Sequence, residues 1–229
     1  IGTKALVEQT QKLFPSAKIM RFDADSSAAD QLHRNIAKLK DGTVDIVIGT
    51  QLISKGIDLP HLSVVGVINA DTGLNLPDYR AEETTFQQLY QVTGRVGRGH
   101  TLSKYFIQTR LPHHPVMEAA LQRSWETYNT YELAKRKTFS YPPFCFIAIF
   151  KIHKKTSSLA EKAAQKAFAE LSTLKGITLL GPSPSYYERN DNTYSWQIIA
   201  KSHKRSHLVA AAKKLPNEWL VDIDPINLL

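Results

Sequence analysis

Cysteine is all but absent. Cys145 is the single one in 229 residues, which excludes a disulfide framework and any multi-cysteine zinc site within this sequence and fits a reducing compartment. No apolar run reaches the roughly 18 residues of a membrane span, and no charged-then-apolar leader opens the chain. A cytoplasmic protein with no membrane partner is therefore expected. Glycine and proline number only 11 each, and 42% of residues are hydrophobic, the composition of a globular chain and not of a linker or fibre. Two nucleotide-handling motifs are missing as well. The sequence has no Gly-x-x-x-x-Gly-Lys-[Ser/Thr] loop and no Asp-Glu-x-His box, so it lacks the groups that cradle a triphosphate and hold magnesium in P-loop ATPases.

Charge of one sign is missing from the first part of the chain. Residues 1–100 carry 11 Lys+Arg against 11 Asp+Glu, whereas residues 101–229 carry 18 against 10. The whole net charge of +8 thus lies in the second part, which predicts two domains of different electrostatic character. A basic domain is drawn to a polyanion such as nucleic acid, although a lysine-rich surface also serves solubility.

Helix and strand patterns alternate through the first part. Thr3 is placed to cap a helix over Ala5, Leu6, Leu13 and Phe14 that Pro15 stops. A short strand over residues 17–22 follows, then a second helix through Leu32, Ile36 and Leu39, with caps among residues 23–27. The near-continuous apolar runs at 44–48 and 62–68 suit strands buried on both faces of a parallel sheet. A helix over 80–90 and a strand over 105–109 complete an α/β pattern, whose working loops belong at the carboxyl ends of the strands. Asp23 and Asp25, spaced like a metal-binding pair, stand where helix caps are needed.

Two loops carry candidate chemistry. In the first, residues 48–60, Thr50 and Gln51 follow a strand with backbone N–H groups suited to phosphate. There Gly56 permits close approach of a ligand, and Asp58 offers a carboxylate to a sugar hydroxyl. The same spacing suits an ordinary strand-to-helix connection. The second loop is Gln91-Val92-Thr93-Gly94-Arg95-Val96-Gly97-Arg98-Gly99. On a helical turn Arg95 and Arg98 share a face beside two positions without side chains, forming a guanidinium fork that can press on a triphosphate.

The pattern Gln91-x-x-Gly94-Arg95-x-Gly97-Arg98 resembles motif VI of superfamily 2 helicases, and Gly49-Thr50-Gln51 through Gly56-x-Asp58 resembles their motif V. Several further segments follow in the order seen in the primosomal replication-restart helicases. They are Gly2-Thr3, Asp23-x-Asp25, Val65-Gly66-Val67-x-Asn69-Ala70-Asp71, Leu76-Pro77-Asp78-x-Arg80-Ala81-x-Glu83, Tyr141-Pro142-Pro143-Phe144, Gly181-Pro182-x-Pro184 and Asp222-x-Asp224-Pro225. The resemblance covers essentially the whole chain and implies the C-terminal half of such an enzyme: a RecA-like parallel-sheet lobe followed by a smaller α+β domain. It implies an ATP-dependent three-prime to five-prime DNA helicase that restarts replication at forks, with this fragment inactive by itself. A noncatalytic nucleic-acid-binding protein with a degenerate lobe is the alternative.

By the same resemblance, Arg95, Arg98 and Gln91 are catalytic residues on the γ-phosphate side, and Gly56 and Asp58 line the cofactor cleft. Thr3, Thr50, Gln51 and Lys55 would contact DNA. ATP and Mg²⁺ would be held mostly by a lobe outside this sequence, and Zn²⁺ by cysteines also outside it, with no metal ligands in this chain. The implied partners are branched or single-stranded DNA, single-stranded DNA-binding protein and other primosome proteins. Ile57 replaces the family's usual histidine, and the stretch around Tyr194-Ser195-Trp196 is poorer in arginine than expected.

Residues 1–112 are thus expected as the helicase lobe, 113–142 as a helical connector and 143–229 as the C-terminal domain. In the connector, His113-His114 reads as a helix-entry turn. The last domain reads β-α-β-β-α-β, with strands near 144–153, 177–180, 194–200 and 219–223, and helices near 159–174 and 203–215. That order predicts a ferredoxin-like sandwich. Its candidate nucleic-acid contacts are Lys151, Lys154, Lys155, Arg189, Lys201, Lys204 and Arg205, with Tyr186, Tyr187, Tyr194 and Trp196 available to stack on bases, although most of these aromatics read first as core or hairpin residues. Cys145, inside an apolar strand, reads as buried filler.

Overall fold

A computed structural model describes residues 2–22, 35, 37–50, 62–94, 104–190 and 192–229. The chain forms two compact units, Ile1–Leu74 with Glu83–Tyr128, and Asn75–Glu82 with Asn129–Leu229. The second therefore takes in an eight-residue segment whose sequence neighbours on both sides belong to the first.

The first unit begins with helix α1 (Thr3–Leu13). Gly2, not Thr3, occupies its N-cap and makes no side-chain cap bond, so Thr3 is the first helical residue and not the cap. Strands β1 (Ile19–Phe22) and β2 (Ile46–Gly49) pair in parallel, Ile19 against Ile46 through Phe22 against Gly49. Asp45 fixes the entry to β2 by accepting the Lys18 N–H at 2.8 Å. Strands β3 (Val64–Val67) and β4 (Lys104–Ile107) form a second parallel pair, connected through helix α2 (Ala81–Thr93). Parallel pairing with an intervening helix is the expected βαβ arrangement. The burial on both faces expected of the apolar run at 62–68 is corrected: β3 has no buried residue, and Val64 and Ile68 are exposed.

The expected connector is two helices, α3 (Pro115–Gln122) and α4 (Trp125–Thr138). His114 caps α3 by accepting the Val116 N–H on Nδ1 at 3.2 Å, and Pro115 fills the first turn, where a missing N–H costs nothing. Arg123 ends α3 in the left-handed region (φ 52°). Ser124 Oγ then accepts the Thr127 N–H at 3.1 Å to start α4. The core here is aromatic. Phe86, wholly buried, stacks on Tyr128 at 4.0 Å between centroids and meets the edge of Trp125 at 4.8 Å, an arrangement that adds to area burial.

The second unit contains β5 (Phe146–Lys154), α5 (Ser157–Leu171), β6 (Thr178–Asn190), β7 (Thr193–Ser202), α6 (Arg205–Ala212) and β8 (Leu220–Ile223). The sheet order is β6-β7-β5-β8 with every pair antiparallel, the ferredoxin-like topology that the element order predicts. Strand β6 is far longer than the four residues expected, because it continues past Pro182 and Pro184 into a hairpin with β7. On one face of the sheet Phe150, Ile152, Ile198 and Ala200 pack with Ala164 and Leu171 of α5 and Leu208 of α6. On the other, Cys145, Ile147, Ile149 and Leu228 form a separate cluster, against which Tyr79 and Tyr141 pack.

Candidate functional site

In the first unit, three of the nine expected site residues lie among those described. Thr50 is exposed and follows directly on the carboxyl end of β2, the end at which open α/β sheets bind ligands. Thr3 is half-buried in the first turn of α1, the helix that packs on β1 and β2. Gln91 is exposed in the last turn of α2. Arg95, Arg98, Gln51, Lys55, Gly56 and Asp58 lie outside the described residues, as does the Asp23-x-Asp25 pair.

The structure explains the approach to the Gly-Arg motif. Thr93 is buried, its Oγ1 donating to the Tyr90 carbonyl at 3.2 Å, and the Gly94 N–H donates to that same carbonyl at 3.0 Å. A Cβ at Gly94 would stand 2.9 Å from Arg123 Nη2 and 3.1 Å from the Tyr90 carbonyl oxygen. A side chain here would displace the end of Arg123 and crowd the Tyr90 carbonyl. The neighbour is a residue that sequence reasoning missed: the Arg123 guanidinium sits 5.3 Å from the Tyr90 ring centroid. Its single local signal was a polar Gln122-Arg123-Ser124 break in a helical pattern.

Beyond β3, Asn69 takes the left-handed conformation and opens a 3₁₀ turn at Ala70–Thr72. The buried Asp71 carboxylate accepts the Thr109 hydroxyl on Oδ1 and the Arg110 N–H on Oδ2 at 2.7 Å. These bonds, the Thr109 hydroxyl foremost, hold its pKa below the usual carboxylate range. Asp71 thus joins the exits of β3 and β4.

In the second unit, the candidate nucleic-acid residues separate by burial. Lys201 is 8% exposed, donates to the Phe139 carbonyl at 3.0 Å and lies 3.5 Å from the Tyr141 ring centroid. Lys151 donates to the Leu229 carbonyl at 2.8 Å. Burial pushes both ammonium groups to lower pKa. The surface placement expected for Lys201 is corrected, since it is an interior tie, while Lys151 is half-buried with its ammonium held by a backbone carbonyl. Trp196 takes the core role expected first of most of these aromatics: it packs on the core, and its indole donates to Ser157 Oγ at 3.3 Å. Lys154 pairs with Glu218 at 2.6 Å and Arg205 with Asp224 at 2.9 Å. Lys155, Arg189 and Lys204 are exposed.

The two tyrosines at 186 and 187 are held outward by the β6–β7 register. Pro184 pairs with Trp196 and Arg189 with Tyr194, so residues 185–188 oppose Ser195 alone. Ser185 turns inward, sharing a 2.8 Å hydrogen bond with Ser195. Tyr186 and Tyr187 are left 49% and 69% exposed, their rings edge to face at 4.9 Å. In register beside them run Arg189, Tyr194 and Lys154 across three strands. This end of the sheet combines π faces with cations, the chemistry that binds single-stranded nucleic acid.

Cys145 is buried, its thiol donates to the Ser140 carbonyl at 2.9 Å, and burial pushes its pKa up. That environment suits packing, not nucleophilic attack. Among the described residues, no three His, Cys, Asp or Glu side chains stand together to hold a metal, and no helix is long and apolar enough to cross a membrane.

Comparison with known proteins adds the family dimension. Residues 2–100 match the helicase conserved C-terminal domain, and residues 137–226 match the primosomal protein N C-terminal domain. The chain is 34% identical over its full length to the replication restart protein PriA of Bacillus subtilis (strain 168), covering 29% of that protein. It is 33% identical, again over its full length, to that of Treponema pallidum (strain Nichols), covering 36%, and 32% identical over 99% of its length to that of Synechocystis sp., covering 28%. The chain thus spans about a third of the length of the relatives it matches.

Proposed function

Because the chain belongs to the primosomal protein N family, we propose that it supplies the second motor lobe and the C-terminal DNA-contacting domain of an ATP-dependent helicase. This enzyme unwinds DNA three-prime to five-prime at stalled or repaired forks and restarts replication by primosome assembly in the cytoplasm. Branched or single-stranded DNA is its substrate, and single-stranded DNA-binding protein and other primosome proteins are its partners.

The observation that carries the reading is the end of α2. The exposed Gln91 and Gly94, which lies against the end of Arg123, lead directly into Arg95-x-Gly97-Arg98. These residues fit one side of a nucleotide and not the whole of it, because the chain has no phosphate-cradling loop and no acidic box. Hydrolysis of ATP bound with Mg²⁺ supplies the free energy for movement along DNA. Arg95 and Arg98 point a fork of donors at the charge that gathers as the γ-phosphate leaves, with Gln91 beside them. Gly56 and Asp58 line the same cleft, while Thr3, Thr50, Gln51 and Lys55 track the DNA backbone. Zinc belongs to cysteines outside this sequence.

The test is steady-state ATPase and fork binding with Arg95→Ala, Arg98→Ala and Arg98→Lys in the whole protein. Turnover falls about 10³-fold or more in each, as for arginine fingers elsewhere. Lysine does not rescue, since it keeps the charge but loses the planar fork. Fork affinity is retained. Collapse of DNA affinity with near-normal turnover would move the pair to the DNA track. DNA-stimulated phosphate release by the isolated 229-residue chain, lost in Arg98→Ala, would contradict its assignment as half a motor.

A further inference from the structure

Strand β6 pairs with β7 at Pro184, opposite Trp196, and again at Arg189, opposite Tyr194. Between those two pairs β6 has four residues where β7 has Ser195 alone, so residues 185–188 include a surplus that must leave the ladder. Both ends of this stretch are tied down. At one end Ser185 is buried and shares a 2.8 Å hydrogen bond with Ser195. At the other, Glu188 Oε1 accepts the Ser157 hydroxyl at 2.7 Å.

Ser157 is the first residue of α5, and its Oγ also accepts the Trp196 indole N–H at 3.3 Å. One hydroxyl therefore links the bulge, the helix start and a tryptophan that packs on the core. The carboxylate is well placed for a second reason. Helix α5 has no acid in its own first turn, and a negative charge there meets the positive end of the helix dipole. Glu188 is the one acid among residues 183–190. Its use at α5 leaves the solvent side of the stretch to Tyr186 and Tyr187, 49% and 69% exposed, with the exposed Arg189 following them. Two π faces held outward beside a cation suit unstacked bases on a phosphate backbone.

We propose that Glu188 and Ser157 are positioning residues: they hold Tyr186 and Tyr187 outward as a platform on which bases of single-stranded DNA stack. A carboxylate thus promotes the binding of a polyanion, through geometry and against its own charge. This role rests on the DNA contact proposed above for the C-terminal domain.

The sign of one substitution tests it. Affinity of the 229-residue chain for an oligothymidylate bearing 2-aminopurine is measured with Glu188→Ala, Glu188→Gln and Ser157→Ala. By charge alone, loss of a carboxylate tightens binding to DNA. Glu188→Ala instead weakens it about fivefold or more and abolishes quenching of the 2-aminopurine, because the rings lose their fixed orientation. Glu188→Gln keeps an acceptor for the Ser157 hydroxyl and binds at least as tightly as wild type. Ser157→Ala weakens binding as Glu188→Ala does, and the double variant is no worse than the worse single one, since both changes open one link. Without DNA, nitrogen-relaxation order parameters at Tyr186 and Tyr187 fall from about 0.85 to below about 0.6 in Glu188→Ala, while those of β5 are unchanged. Unchanged order parameters, wild-type or tighter binding by Glu188→Ala, or a Glu188→Gln loss as great as the alanine loss overturns the proposal. The Tyr186→Ala, Tyr187→Ala double variant separates the two levels. Wild-type binding by that variant overturns the platform, whereas weakened binding there with none in Glu188→Ala overturns the positioning alone. Failure of the wild-type chain to bind the oligonucleotide would overturn the DNA-contacting reading itself.

Discussion

Asp71 and Arg110 are joined by a 2.7 Å hydrogen bond from the Arg110 backbone N–H to Oδ2, which pins the chain after β4 to the turn after β3. Both lone-pair sides of the carboxylate are used, because Thr109 donates its hydroxyl to Oδ1. Asp71→Ala takes a charged acceptor away from the half-buried Thr109 hydroxyl and from the Arg110 N–H. The first unit should lose about 1–3 kcal/mol, read as a lower midpoint in urea.

The same carboxylate makes a pH prediction. Its folded-state pKa is lowered, so folding favours the ionised form. The stabilisation is complete above the unfolded carboxylate value of about 3.9 and is lost as pH falls through the lower folded value. Urea midpoints of wild type and Asp71→Asn, followed from pH 6 down to pH 3, should converge at the acid end. Parallel curves throughout would show that Asp71 titrates alike in both states.

Lys201 and Lys204, three residues apart, should behave oppositely. Lys201→Met removes the donor to the Phe139 carbonyl and the cation over Tyr141, so stability falls by about 1–3 kcal/mol while the salt dependence of DNA binding stays the same. Lys204→Met is exposed and should leave the unfolding midpoint unchanged while lowering the salt slope by up to about one ion. A shallower slope in Lys201→Met would restore that residue to the nucleic-acid surface.

These contrasts mark how far the sequence could be read. The β-α-β-β-α-β order was legible because period-2 and period-3.6 apolar patterns report local backbone state directly. His114 as a helix-entry turn was legible for the same reason, since capping is settled within a few residues. Lys201 was not, because a lysine looks the same in sequence whether it meets water or a carbonyl and an aromatic ring. Nor was the allegiance of residues 75–82, which depends on a contact from Asp78 to Leu228 across 150 positions. Strand β6 was read too short because Pro182 and Pro184 look like terminators, yet an irregular register lets pairing resume beyond them. At the candidate site, Gln91 and Gly94 could be placed at a helix end from spacing alone. The role of Arg123 beside Gly94 could not, since it comes from a different helix.

The most exposed aromatic feature of the second unit carries the last prediction. Tyr186 and Tyr187 project from a stretch in which four residues oppose one, so their rings are offered to solvent without serving the core. Stacking a base on such a ring contributes about 1–3 kcal/mol and tolerates any sequence, while the exposed Arg189, in register with Tyr194, supplies phosphate attraction that salt weakens. The two contributions can be told apart. Tyr187→Ala, and more so the Tyr186→Ala, Tyr187→Ala double variant, should weaken binding of single-stranded oligonucleotides about 5- to 100-fold, with the slope of affinity against salt unchanged. Arg189→Ala should lower the slope and cost less at high salt. Phenylalanine at both positions should restore affinity, since the ring and not the hydroxyl makes the stack. Quenching of 2-aminopurine placed along the strand reads the contact directly, and it should be lost in the alanine variants and kept in the phenylalanine ones. Full affinity and full quenching in the double alanine variant would show that this outward bulge serves something other than nucleic acid.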